Sequence, residues 1–415
     1  MIDKSAWLLR QLVRQIWVRS VAIGLLGVVV ALTGIVFGRF IPGRYEDMLG
    51  AGAVDDILTI LASSMLAVVT FSLSVAVQAF AAAAESATPR ASRLLEEDST
   101  TQNVLSVFVG AFLFSLVGII ALATGAYGAQ GRVVLFLATV AVIALVVGML
   151  LRWINHIMRF GRMGDTLRRV EAAATRALIA RAKSPYLGGQ NAGHGPPLTA
   201  LPVLACKTGY VQHVDMEMLS DCAEAHDLNI WLVDLPGSFA TLADPLFLVV
   251  GRNTDAAVLA QLRDAFTIAA ERNFDQDPRF GLIVLAEIAS RALSPAVNDP
   301  GTAIDVLGRT VRILGHWLGD DGLEPEYPRI MVPAITGQEL IEDAFLPIAR
   351  DGAALVEVQI RLQKALAALA RMAPAQFAAP AAAMALEAAD RARQALANDI
   401  DRTRLGVVLE KLAAR

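Results

Sequence analysis

A set of polar residues between positions 59 and 85 has the types and spacing to line a pathway across a membrane. These residues interrupt a run that is otherwise apolar. At about 100° per residue they fall on one face of a helix, within a stripe roughly 100° wide. Val68 and Phe71 lie outside this stripe. The stripe carries Thr59, Ser63, Thr70, Ser74, Gln78 and Glu85.

Two interpretations of the stripe are open. Small and hydroxyl side chains let membrane helices pack closely, so the stripe could be a seam between helices. Alternatively, several copies of the helix could surround a wetted pathway, because channel walls are built from polar rings. Gln78 favours the pathway, since its amide needs hydrogen-bond partners in hydrocarbon.

Acidic residues lie near both ends of the same run. Glu85 would lie at the cytoplasmic mouth of a pathway, and Asp55 and Asp56 at the opposite mouth. Acidic rings at both mouths would favour cations. Asp55 and Asp56 also suit a helix N-terminus, where the helix dipole stabilises acids.

The composition requires a membrane setting for these residues. The chain of 415 residues is 55% hydrophobic and 18% charged, whereas about a quarter of an ordinary soluble domain is charged. Four apolar runs, near 16–37, 56–84, 104–126 and 132–154, are long enough to cross a hydrocarbon core of about 30 Å. We therefore predict four transmembrane helices within residues 1–155, the first being a retained helix.

The basic residues predict the orientation of these helices. They are concentrated before the first run, after the second and after the fourth. They are Lys4, Arg10, Arg14, Arg19, Arg90, Arg93, Arg152, Arg159, Arg162, Arg168 and Arg169. Because basic flanks stay on the cytoplasmic side, both termini and the 85–103 loop are expected in the cytoplasm.

The remainder of the chain predicts a cytoplasmic α+β domain. We expect residues 156–182 to extend the fourth span as one helix and 183–200 to form a Gly/Pro linker. A small β-rich unit should occupy 201–252 and a helical domain 253–415. Its helices are predicted at 255–272, 279–293, 300–318, 337–350, 353–372, 375–398 and 402–414.

This domain shows no recognisable catalytic motif. It has no phosphate-binding loop, no dinucleotide glycine fingerprint and no H-E-x-x-H. Its histidines are scattered, and Cys206 and Cys222 fit no metal spacing. His156 follows the fourth run among basic residues, which suggests an interfacial residue. We therefore expect no enzyme, no catalytic residue, no metal and no cofactor, and the net charge of −4 gives no argument for nucleic acid.

The densest polar stretch lies at 272–307. Its charged and amide residues could form a regulatory or interdomain surface. The alternative is a helix–turn–helix corner, in which Ser294-Pro295 ends one helix and Asn298 or Asp299 caps the next at Pro300. The candidate surface comprises Asp275, Asp277, Arg279, Arg291, Asn298 and Asp299.

Motifs in this stretch resemble a bacterial family of predicted membrane proteins, domain of unknown function 2254. The order Q-D-P-x-F-G-L, then A-x-R-A-L-S-P-x-x-N-D-P-x-T-A, occupies residues 276–303, and T-G-Y-V-Q-H-V-D occupies 208–215. Thr88-Pro89-Arg90 stands where the family usually has Ser-Pro-Arg. The resemblance covers essentially the whole chain. It implies a bacterial inner-membrane location and supplies no activity or catalytic residues.

Together these observations predict an integral membrane protein that assembles as a homo-oligomer in the lipid bilayer. The second helix would line a pathway for a small ion or solute, and the cytoplasmic domain would regulate it. The alternative is a non-conducting scaffold or sensor whose polar helix face is only a packing seam.

Overall fold

The computed structural model describes residues 7, 16–37, 53–86, 88–96, 98–158, 160–193, 195–317 and 324–414. The chain forms two compact units. One comprises Leu8–Thr166, and the other comprises Leu167–Arg415 together with the segment ending at Trp7. We call them the membrane unit and the C-terminal unit.

The membrane unit consists of helices. They are α1 (Ile16–Phe37), α2 (Ala53–Ser86), α3 (Pro89–Glu96), α4 (Ser99–Ala123) and α5 (Ala129–Ile157). Within the described residues, α2, α4 and α5 are long and apolar enough to cross a membrane, whereas α1 contributes the shorter apolar run Val18–Thr33. Three of the four predicted spans are therefore present as candidate spans, and the first remains a prediction.

Helix α4 forms the centre of the membrane unit. In its apolar segment 56% of residues are buried, against 22% in α2 and 17% in α5. Glycines let α1 approach it closely, because a Cβ added to Gly27 would lie 2.6 Å from the carbonyl oxygen of Gly110. Such small-residue contacts are how membrane helices pack.

The expected continuous helix through residues 132–182 is wrong. Helix α5 ends at Ile157, and the next helix, α6, spans Met163–Lys183. Between them Gly161 adopts φ 75°, a left-handed conformation that interrupts a helix. A Cβ at Gly161 would also lie 3.0 Å from the carbonyl oxygen of Ala79. The close approach to α2 and the left-handed backbone both require glycine there.

The C-terminal unit contains two sheets. Their strands are β1 (Gln190–Asn191), β2 (Leu201–Leu204), β3 (Gly209–Val214), β4 (Asn229–Leu232), β5 (Phe239–Ala240), β6 (Pro245–Val250), β7 (Phe266–Ala269) and β8 (Ile330–Val332). The larger sheet has the order β1-β8-β4-β6-β2 and the smaller has β5-β3-β7. Strand β8 runs parallel to β1 and β4, and the other pairs are antiparallel.

Strands β2 to β6 lie within the β-rich unit predicted at 201–252, but the sheets extend beyond those bounds. Strand β1 lies inside the predicted linker, and β8 comes from the predicted helical domain. The predicted helix at 255–272 is wrong beyond residue 264, because 266–269 form β7 against β3. β7 exists because it pairs with β3, for example through Val214 and Phe266. Such a contact between distant residues cannot be predicted from local periodicity.

The helices predicted from residue 279 onward are confirmed to within a few residues, and the described part of the unit contains eight helices after α6. The helices are α7 (Met216–Ala225), α8 (Ala256–Asp264), α9 (Phe280–Ala292), α10 (Pro300–Leu314), α11 (Gly337–Asp351), α12 (Val356–Met372), α13 (Pro374–Ala395) and α14 (Asp399–Ala413). Helix α9 is buried along most of its length, with Leu282, Leu285 and Ile288 fully enclosed. It therefore forms part of the core of the helical part of the unit.

Candidate functional site

The polar stripe of α2 is not packed within the membrane unit. Its described side chains are exposed: Thr59, Ser63, Thr70, Ser74 and Gln78. With Ser63 set at zero, the buried side chains of the same helix fall at roughly 160° to 220°, on the opposite face. These are Val54, Leu58, Leu61, Met65, Ser72 and Ala76. Helix α2 is thus held in its own unit by the face directly behind the stripe.

Hydrogen bonds on the stripe leave oxygen acceptors facing outward. Ser63 Oγ donates to the carbonyl of Thr59 at 2.9 Å, and Thr70 Oγ1 donates to that of Leu66 at 2.9 Å. The Gln78 amide nitrogen donates to Ser74 Oγ at 3.3 Å. Because each hydroxyl proton of Ser63 and Thr70 is directed to the helix backbone, their lone pairs remain for an external donor or a cation.

Apolar side chains border the stripe. Ile60 and Val77 lie at its edges and are 67% and 56% exposed, so the face is not uniformly polar. Asp55 and Asp56 are exposed in the first turn of α2. The side chain of Glu85 lies outside the described residues. The mouth predicted at the N-terminal end of α2 therefore has its acids on the surface of the unit.

Sequence reasoning missed a second polar cluster in the membrane unit, built on Asp98, Thr101 and His156. Asp98 is the N-cap of α4, and its Oδ2 accepts from the backbone nitrogen and the hydroxyl of Thr101, both at 2.7 Å. Nε2 of His156, in the last turn of α5, lies 2.8 Å from the same oxygen. The sequence D-S-T-T at 98–101 is a helix-capping signal that could have indicated Asp98. The contact between Asp98 and His156 could not be found in this way, because the two residues are 58 positions apart in the sequence.

The cluster does not have the arrangement of a nucleophilic triad. In a triad the two ring nitrogens of histidine serve the nucleophile and the carboxylate separately. Here Thr101 Oγ1, at 3.2 Å, and Asp98 both face Nε2 of His156. The geometry instead joins the start of α4 to the end of α5.

A chain of aromatic rings continues from His156 to α2. The imidazole stacks on Trp153 with centroids 5.8 Å apart, and its centroid lies 5.0 Å from that of Phe160. Phe160 in turn meets Phe80 of α2 edge-on at 5.5 Å. Phe80 follows Gln78 by two residues, so these contacts reach the polar helix itself.

In the C-terminal unit, the turn before α9 is organised around the buried Asp277. Its Oδ2 accepts from Arg272 Nε at 2.7 Å, and its Oδ1 accepts from the backbone nitrogens of Arg279 and Phe280 at 3.1 Å. Burial raises the pKa of Asp277, and the Arg272 guanidinium and the two backbone N–H groups oppose that rise. The carboxylate therefore fixes the start of α9.

Helix α6 is anchored to the same turn. Arg181 is 3% exposed and donates through Nη2 to the carbonyl of Gln276 at 3.2 Å. Burial lowers the pKa of Arg181 to about 10, with the charge of Asp277 opposing, so the side chain is charged at neutral pH. A Cβ added to Gly281 would lie 2.3 Å from Cβ of Ala174. The glycine lets α9 and α6 touch.

A second anchor for α6 is an ion-pair network that the sequence did not indicate. Glu171 accepts from Arg309 Nη1 at 2.5 Å and from Arg312 Nε at 2.7 Å, both on α10. Burial alone would raise the pKa of Glu171, but hydrogen bonds and charges from Arg312 and Arg309 outweigh it, and the pKa lies below its ordinary value.

The six residues of the predicted regulatory surface do not form one cluster. Asp275, Asp277 and Arg279 precede α9, and the other three follow it or occupy its last turn. A helix of 13 residues separates the two groups by about 20 Å.

The group before α9 makes contacts inside the C-terminal unit. Arg279 pairs with Asp343 at 2.5 Å and Glu339 at 2.6 Å, both on α11. Asp275 accepts from the Trp7 indole nitrogen at 3.1 Å.

After α9, the chain forms the predicted corner. Asn298 adopts φ 50°, and Asp299 caps α10 by accepting from the backbone nitrogen of Thr302 at 3.1 Å. The hydroxyl and backbone N–H of Thr302 lower the pKa of Asp299. Arg291, Asn298 and Asp299 are exposed. Of the two residues predicted as possible caps, Asn298 and Asp299, Asp299 caps α10, and Pro300 begins the helix as predicted.

These features are those of a predicted membrane protein: within the described residues, three apolar helices long enough to span a membrane, one with an exposed polar face, followed by a mixed sheet and helix unit. The chain belongs to the family of predicted membrane proteins DUF2254, whose model matches residues 13–368. It is 28% identical over 329 residues to Uncharacterized protein Rv1290c of Mycobacterium tuberculosis and to Uncharacterized protein Mb1321c of Mycobacterium bovis. Each match covers 74% of this chain and 61% of the relative, so the chain spans under two thirds of these relatives. No solved structure matches the chain significantly.

Proposed function

We propose that copies of this chain assemble in the bacterial inner membrane with α2 of each copy facing a shared aqueous pathway for a small ion or solute. The observation that carries this proposal is the placement of the stripe. Helix α2 is bound to its own unit by its apolar face, and Ser63, Thr70 and Ser74 point away from it. Polar groups in hydrocarbon need water or protein beside them, which a ring of copies supplies.

The chemistry of the stripe favours cations. The hydroxyl protons of Ser63 and Thr70 are directed to backbone carbonyls, so oxygen lone pairs face outward. Asp55 and Asp56 add exposed negative charge at one mouth. Oxygen acceptors and acidic rings stabilise cations and repel anions.

A second candidate is a non-conducting scaffold or sensor in which the stripes of neighbouring copies form a dry seam. The same hydrogen bonds favour it, because hydroxyls satisfied on their own helix can pack against a neighbour without water. In both candidates the C-terminal unit has a regulatory and assembling role without catalysis, and the termini lie in the cytoplasm.

Cysteine accessibility on α2 tests the two candidates against each other. The test uses a background with Cys206→Ser and Cys222→Ala, with single cysteines placed at Thr70 and at its neighbour Phe71. Both positions are exposed in the subunit, so burial inside one copy does not bias the comparison. A pathway predicts that a membrane-impermeant thiol reagent modifies position 70 at least tenfold faster than position 71.

Further positions extend the test along the helix. Cysteines at Ser63 and Ser74 should react like the one at Thr70, and the half-buried Val68 should stay inert. Equal protection of all these positions would exclude a wetted pathway. Reconstituted vesicles supply the second measurement: a pathway predicts flux of a monovalent cation that exceeds anion flux, and the scaffold predicts none.

A further inference from the structure

We propose that the Asp98–His156 pair is a proton-sensitive clamp that sets the position of α2 and thereby regulates the pathway. As a regulator of conduction it rests on the proposed function, but the clamp itself is a property of the membrane unit alone. It is carried by three connected observations: a shared carboxylate oxygen, a stack of aromatic rings, and a glycine contact on α2.

The hydrogen bonds fix where the histidine proton lies. Asp98 Oδ2 accepts from the backbone nitrogen and hydroxyl of Thr101, at 2.7 Å each. A carboxylate only accepts, so Nε2 of His156, 2.8 Å away, carries its proton toward Asp98 in either charge state. A second proton at Nδ1 makes the ring cationic and turns this contact into a charge-assisted bond, roughly twice as strong as a neutral one.

Histidine is suited to such a device because its unperturbed side chain changes charge between about pH 5 and 8. Asp98 is 6% exposed and His156 14%, so water screens the pair little. Arg152, one turn earlier on α5, and Arg90 and Arg93 on α3 are exposed positive groups at this end of the unit. Residues 76–84 of α2 bring no ionisable side chain. Among the described side chains, Asp98 is the acid in contact with the imidazole.

The clamp reaches α2 through packed contacts. Trp153 and Phe160 enclose the imidazole on two sides, and Phe160 is 7% exposed with its ring against Phe80. The residue after Phe160 is Gly161, which lies close to Ala79 of α2. A Cβ added to Gly161 would be 3.0 Å from the carbonyl oxygen of Ala79. Ala79 and Phe80 directly follow Gln78 in α2. If the contacts at the end of α5 weaken, the segment of α2 that carries the Gln78 side chain can therefore change its position.

Protonation is measured by the fluorescence of Trp153 in the full-length protein, with the other four tryptophans replaced by phenylalanine. A cationic imidazole stacked on an indole quenches it, so emission should fall on acidification by at least a fifth. In His156→Gln the emission should stay flat over the same pH range. Asp98→Asn retains a helix cap but removes the charge that faces the ring, so the pH profile of the emission should differ from that of the wild-type protein. A flat wild-type profile, or one unchanged in Asp98→Asn, would overturn the clamp.

Coupling to α2 is measured separately, by thiol modification of Gln78→Cys relative to Ser63→Cys at each pH. The ratio cancels the pH dependence of the thiol chemistry. We expect this ratio to change at least threefold between pH 8 and pH 5.5, and to lose that change in His156→Gln. A constant ratio together with a titrating Trp153 would refute the coupling. A changing ratio without cation flux would refute the pathway and leave the clamp standing.

Discussion

The two units of this protein treat their polar residues in opposite ways. In the C-terminal unit the most motif-rich stretch, around Asp277, turns inward: its carboxylate is 2% exposed and accepts from Arg272 and two backbone nitrogens. In the membrane unit the hydroxyls of Ser63 and Thr70, on the α2 stripe, turn outward and donate only to their own helix. The charged residues around Asp277 therefore mark an internal joint, and the sparse hydroxyls of the stripe mark an exposed surface.

The difference follows from the cost of burying charge. A buried ion pair is held in place because removing one partner leaves the other uncompensated. Asp277, at the joint of α6 and α9, has such a partner in Arg272, which makes the joint rigid. A serine hydroxyl can satisfy itself on the preceding turn of its helix, so the stripe of α2 can face water or a neighbouring copy with no change inside the subunit.

The largest effect that tests this contrast is expected for Asp277→Ala. Loss of the carboxylate leaves Arg272 and Arg181 without their counter-charge and removes the acceptor for the backbone nitrogens of Arg279 and Phe280. We expect a loss of about 3–5 kcal/mol in the free energy of unfolding, measured by denaturant unfolding of the full-length protein.

Two controls accompany Asp277→Ala. Asp299→Ala removes an exposed cap on α10 and should cost only about 1 kcal/mol. Thr70→Ala should leave stability unchanged within about 0.5 kcal/mol while altering cation flux. A cost for Asp277→Ala no greater than that for Asp299→Ala would show that the buried joint is not the rigid element.

Gly281→Ala tests the contact between α9 and α6 without changing any charge. The new Cβ would lie 2.3 Å from Cβ of Ala174, so the helices must separate. The expected destabilisation is about 1–3 kcal/mol, measured as above.

Gly308→Ala is the matched control for Gly281→Ala. This glycine is exposed within α10, and the one heavy atom near its added Cβ is Nη1 of Arg312, at 3.9 Å. Alanine should therefore stabilise the helix by about 0.5–1 kcal/mol. If both variants moved stability in the same direction, crowding against Ala174 would not be the cause.

The sequence allowed good predictions wherever a structure depends on neighbouring residues. The helices of the C-terminal unit were placed within a few residues because capping signals such as Asp299-Pro300 act locally. Strands β7 and β8 were missed because each consists of four or fewer residues and exists only through distant partners. The break at Gly161 was missed because its cause, the close approach to Ala79, lies on another helix.

The candidate sites divide in the same way. Helical periodicity was enough to predict that the polar residues of α2 share one face of the helix. The Asp98–His156 pair could not, since nothing in either local sequence indicates the other. Likewise, the six residues around α9 lie close in sequence, but sequence spacing alone did not reveal that the helix separates them into two groups.

Glu171→Gln tests the second anchor of α6 and adds a pH dependence. The folded-state pKa of Glu171 lies below its unfolded value, so its contribution is present above the unfolded pKa and is lost as pH falls through the folded pKa. We expect a destabilisation of about 1–2 kcal/mol at pH 7 that shrinks toward acid. Unfolding free energies of both proteins from pH 7 to pH 3 measure it, and a difference that grows toward acid would contradict the assignment.

The smallest expected effect concerns two serines of α2, one on its packed face and one on the proposed pathway face. Ser72 is 1% exposed, and its Oγ has no hydrogen-bond partner among the described residues, whereas Ser74, two positions on, is exposed on the stripe. Ser72→Ala removes an unsatisfied buried hydroxyl, so it should be neutral or stabilising by up to about 1 kcal/mol, with flux unchanged. Ser74→Ala should leave thermal stability in detergent unchanged but reduce cation flux, because it removes an oxygen from the proposed wall. If Ser72→Ala reduced flux and Ser74→Ala did not, the inward face of α2 would be the functional one, and the contrast between the two units would have to be drawn differently.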